Sequence, residues 1–72
     1  MEDYYANQNA QPSGEHEVHR TYAVCHRHAD PSNQRPLEQH QDCQSTIAAA
    51  KLRYGYTNVD GCAYCVPDCH TR

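Results

Sequence analysis

The chain has 72 residues, with six basic against nine acidic side chains and a net charge of −3. One small domain is the most this length allows. The charge argues against a strong electrostatic hold on nucleic acid, which needs a basic patch. No run of about 18 apolar residues is present to span a membrane.

Leu, Ile, Val and Phe total seven: Val18, Val24, Leu37, Ile47, Leu52, Val59 and Val66. So thin a core supplies no more than about 3–5 kcal/mol at this size. A structural zinc contributes on the order of 10–16 kcal/mol of binding energy that becomes folding energy. The five cysteines and six histidines therefore favour a metal-held fold. A disulfide framework fits less well, because an odd cysteine count leaves a thiol over. The start Met1-Glu2-Asp3 reads as cytosolic, without an apolar leader, and a reducing compartment disfavours structural disulfides.

In chain order, residues 1–14 are polar apart from Tyr4 and Tyr5 and read as a disordered tail, with the domain at 15–72. From Glu17 to Val24 apolar and polar residues alternate, which predicts a strand. Val18, Tyr22 and Val24 fall on one face, and Glu17, His19 and Thr21 on the other. His16 and His19 then point to opposite faces. Both are expected at the surface, with either in reserve as a ligand. Cys25 to His28 forms a knuckle, and Asp30-Pro31-Ser32-Asn33 a turn.

The main helix is predicted over 36–54. Pro36 suits its first position, Ala48, Ala49 and Ala50 favour its interior, and Gly55 caps it. His40, Cys43, Ile47, Ala50 and Tyr54 share one stripe of that helix. A short strand is expected over 56–59. Asp60-Gly61 then turns the chain into Cys62-Ala63-Tyr64-Cys65.

A structural zinc takes four Cys or His ligands in a tetrahedron, supplied in closely spaced pairs. One candidate site is Cys25, His28, His40 and Cys43, a knuckle plus a helix, which resembles zinc-finger and treble-clef architecture in spacing. A second uses Cys62, Cys65 and Cys69, completed by His70 or an N-terminal histidine. A one-ion alternative pairs Cys25 and His28 with Cys62 and Cys65, or replaces His28 with Cys43. Cys62 and Cys65 recur in most of these schemes.

Catalytic readings fare poorly. A zinc deaminase needs His-x-Glu and Pro-Cys-x-x-Cys. The first is missing, and Gly61 stands where the proline should be. A thioredoxin-like Cys-x-x-Cys needs a βαβ context for which the chain is too short.

The expectation is a small α+β domain held by one or two zinc ions, with no enzymatic activity. It would act as a cytoplasmic regulator or adaptor on a larger protein partner, with exposed tyrosines and arginines as anchors. The alternatives are a nucleic-acid-binding finger and a redox-responsive or metal-buffering thiol protein.

Overall fold

The structure, a computed structural model, describes residues 1–71. With so few aliphatic side chains, the chain draws on tyrosine for its core. Strand β1 (Glu2–Asn7) buries Tyr4, Tyr5 and Ala6 almost completely. Strand β2 (His16–Arg20) returns antiparallel to it, with Tyr4 opposite Arg20, Tyr5 opposite His19 and Ala6 opposite Val18. Between them a tight turn closes through Gly14 N–H to Gln11 O at 2.7 Å, with Gly14 at φ 100°, where glycine is favoured.

Residues 2–7 are thus a central strand where the sequence reading expects a tail. Aromatic residues suit a pleated, buried surface, and a paired strand needs few of them once both its faces are covered. Tyr4 and Tyr5 supply that area, and the Tyr5 hydroxyl is satisfied inside the fold.

Strand β3 (Gln34–His40) pairs antiparallel with the other side of β1. The sequence pattern predicts a helix from residue 36, but 36–40 are extended in β3. Pro36 lacks an N–H and fits an edge strand as well as a helix start. The register slips between Tyr4 and Tyr5, and Glu38 adopts φ 66° beside the slip. Helix α1 (Cys43–Tyr54) packs against β3. Arg53 reaches back to Pro36 O and Glu38 Oε1, and Tyr54 Oη donates to Pro36 O at 2.6 Å.

The helix begins late because Asp42 caps it, accepting from Ser45 N–H at 2.9 Å. It ends at Gly55, at φ 72° in the left-handed region, where the sequence places its cap. Within α1 the expected stripe faces inward: Cys43 and Ala50 are buried, and Ile47 and Tyr54 half-buried.

A short β4 (Val59–Gly61) lies parallel to β2, which makes a mixed sheet of order β3-β1-β2-β4. Asp60 and Gly61 therefore belong to a strand, whereas the sequence reading made them a turn. Gly61 is required there, since a Cβ would stand 2.6 Å from Val66 O. Among the described residues the chain is a small compact α+β unit of one helix and four strands.

Strand alternation gives the sheet two distinct faces. Tyr4, Ala6 and Val18 share one and join Leu37, Cys43 and Ala50 in the apolar core. Tyr5, Glu17 and His19 share the other, and that face carries the cysteine cluster. No helix among the described residues is long and apolar enough to cross a membrane.

Candidate metal centre

Four side chains from three segments meet beside β2. His19 projects from the strand, Cys25 from the loop that follows it, and Cys62 and Cys65 from the turn after β4. The turn forms because Val66 N–H bonds to Cys62 O at 2.9 Å, which aims both thiols the same way. It is docked on β2 by Cys62 N–H to Val18 O at 3.0 Å.

The ligand atoms of these four residues all lie within 4.8 Å of one another, close enough to hold one metal ion. Cys25 Sγ and Cys62 Sγ are 3.7 Å apart, and Cys65 Sγ and His19 Nδ1 are 3.5 Å apart. Bonds of about 2.3 Å to sulfur and about 2.0–2.1 Å to nitrogen set tetrahedral edges of about 3.8 and about 3.6 Å. Two opposite edges of the cluster thus already match a tetrahedral ion.

The electrostatics suit a cation. Burial pushes the Cys65 thiol up to about 12. The Arg20 backbone N–H opposes that shift, and the neighbouring Cys62 and Cys25 sulfurs add to it. Three crowded thiols have no reason to ionise together unless a cation joins them, and metal binding supplies one. Burial holds His19 down to about 4, helped by His28 and Arg27. Its imidazole is therefore neutral near pH 7 and has a lone pair to give. His19, Cys62 and Cys65 are buried and Cys25 is partly exposed, so the site is closed on most sides.

The surroundings fix the ligands. Tyr5 stacks on His19 with ring centroids 5.1 Å apart and planes 19° apart. The Tyr5 hydroxyl accepts from Ala29 N–H at 3.1 Å and meets His28 Nδ1 at 2.7 Å. His28 Nε2 lies 2.6 Å from Ala23 O. A carbonyl only accepts, so Nε2 carries the proton and Nδ1 accepts from Tyr5. This chain of bonds ties the Cys25 loop to the sheet. On the outside of the loop, His26 and Arg27 pack against Tyr64, which lies between Cys62 and Cys65.

Of the eight residues expected as ligands, the structure brings Cys25, Cys62 and Cys65 together, as in the one-ion scheme. His28 stands beside the cluster and holds the loop, and His19 takes the place that scheme gave it. His40 bonds to Ser45 Oγ and Leu37 O, linking β3 to α1. Cys43 and Cys69 form a disulfide between the first turn of α1 and the turn Pro67–Cys69. His70 lies against Gly61 O and Asp60. The separate site of Cys25, His28, His40 and Cys43 is therefore not assembled, and neither is a site that includes Cys69.

His19 was expected at the surface because a strand histidine beside polar neighbours reads as solvated. The signal that points to it is its face: Glu17 and His19 lie opposite Val18, and β1 covers that face with Tyr5. His16, the other reserve, stacks on Tyr56 with ring centroids 3.6 Å apart. Comparison with protein-family models, with curated proteins and with solved structures finds no match to this chain.

Proposed function

We propose that this protein is a small zinc-binding module of zinc-finger type, in which the ion is structural and the folded surface serves a protein partner. The observation that carries the reading is the Cys25, Cys62, Cys65 and His19 cluster with its tetrahedral edges. Three thiolates and one imidazole are a donor set that suits zinc, and four protein ligands leave no open position for a substrate. This supports a non-enzymatic role.

Support for a protein partner comes from exposed side chains near the site. Tyr22 and Val24 stand exposed just before Cys25, and Tyr64 is exposed in the turn between Cys62 and Cys65. Tyrosines of this kind anchor protein interfaces. Zinc would hold both segments in place, so the metal and the interface would be coupled.

Native mass spectrometry of protein purified with the Cys43–Cys69 disulfide intact and the other three thiols free tests the reading. One zinc per chain is expected, lost on treatment with a strong chelator together with ordered circular dichroism. A chain that takes up no metal and keeps its fold would refute it.

A further inference from the structure

A neutral imidazole has one protonated nitrogen and one lone pair, and only the lone pair can face a metal. In His19 the nitrogen inside the cluster is Nδ1, 3.5 Å from Cys65 Sγ. The proton then sits on Nε2, which is buried, and no hydrogen bond closes on it. Its ion-pair neighbour is Glu17 Oε1, 3.5 Å away, on a side chain that is only 11% exposed. Glu17 is two residues before His19 on β2 and so lies on the same face.

We propose that Glu17 is the positioning residue of the metal centre: its carboxylate accepts the Nε2 proton of His19 and so turns Nδ1 to the ion. The inference rests on the metal-site reading above. Tyr5, stacked on the ring, sets its plane. Glu17 sets its direction within that plane. A small ring rotation as the ion binds shortens the contact to a charge-assisted bond of about 2.7–2.9 Å. The negative charge at Nε2 also makes Nδ1 a stronger donor, as carboxylates behind metal-bound histidines do.

The test uses the full chain loaded with zinc, its Cys43–Cys69 disulfide intact, and compares wild type with Glu17→Gln and Glu17→Leu. Competition against a chelator should show zinc held about 10–100-fold more weakly in Glu17→Leu. Glu17→Gln should stay within a few-fold of wild type, because its side-chain carbonyl still accepts. Nitrogen-15 spectra of His19 supply a readout that a merely structural role would not move. The metal-shifted nitrogen should be Nδ1, with a slowly exchanging proton on Nε2 in wild type and in Glu17→Gln.

Metal on Nε2 in the wild type would overturn the proposal whether or not any variant folds. So would a Glu17→Leu chain that binds zinc as tightly as wild type. A wild-type chain that binds no zinc would overturn the metal-site reading itself, before any variant is compared.

Discussion

In one region α1 is tied by Cys43 to Cys69; in another, His19 and three free thiols converge with no covalent link between them. Both regions draw on the same nine-residue stretch, 62–70. Cys62 and Cys65 face the cluster, and four residues later Cys69 reaches the helix. Gly61 and Val66 hold the stretch tightly enough for both, with no room for a side chain at 61. The disulfide acts chiefly on the unfolded chain, by closing a loop across a sequence separation of 26. Under the proposed zinc reading, the cluster acts on the folded chain, when a cation gathers its thiolates. The two regions should therefore respond to different reagents, a reductant for one and a chelator for the other.

The largest effect is expected at the cluster. Cys65→Ala removes a buried ligand and should abolish zinc binding, with a loss on the order of 10 kcal/mol of folding energy. Metal content and circular dichroism of the purified variant would show both losses together.

The disulfide should matter less. The double variant Cys43→Ala, Cys69→Ala should cost about 3–4 kcal/mol, from the loop-closure term, and retain one zinc. Loss of zinc in this variant would mean that the two regions are one cooperative unit.

Acid should act on the metal region by way of His19. The unfolded imidazole takes up a proton near pH 6.5, the folded one only near 4. Between these values the unfolded state binds more protons at this position, so the His19 contribution to stability rises with pH there and is complete above about 6.5. Each unit of acidification in that window should cost about 1.4 kcal/mol from His19 alone, and more in zinc-loaded protein, where the thiolates take up protons as the metal leaves. Denaturation midpoints at several pH values would test this, and a midpoint flat down to pH 4 would contradict it.

The smallest effect concerns the helix start beside the disulfide. Asp42→Ala removes the cap on Ser45 N–H and should cost about 1 kcal/mol, with zinc affinity unchanged. Thermal melts of zinc-loaded protein would resolve it.

Much of the metal region was legible in the sequence. Cys62-x-x-Cys65 reads as a chelating turn from spacing alone, whereas Cys25 joins it only in the one-ion alternative, the two-site reading placing Cys25 with His28, His40 and Cys43. The odd cysteine count also has a physical resolution: three free thiols in the cluster and one disulfide pair make five. What the sequence obscured was long-range pairing. A tail that is polar except for Tyr4 and Tyr5 becomes a strand only because β2 and β3 stand on either side of it. His19 becomes buried because Tyr5, His28 and Cys65, all distant in sequence, pack around it. Pro36 fits a helix start and an edge strand equally well, and Asp42, three residues before Ser45, decides where α1 begins. These choices depend on neighbours distant in sequence, which local propensity does not report.

Zinc-edge X-ray absorption of the purified protein, with the Cys43–Cys69 disulfide intact and the other three cysteines free, tests the central claim most directly. The account predicts one zinc per chain bound by three sulfurs at about 2.3 Å and one imidazole nitrogen at about 2.0–2.1 Å. A shell of oxygen and nitrogen with no sulfur, or two sulfurs with water in the remaining positions, would contradict it.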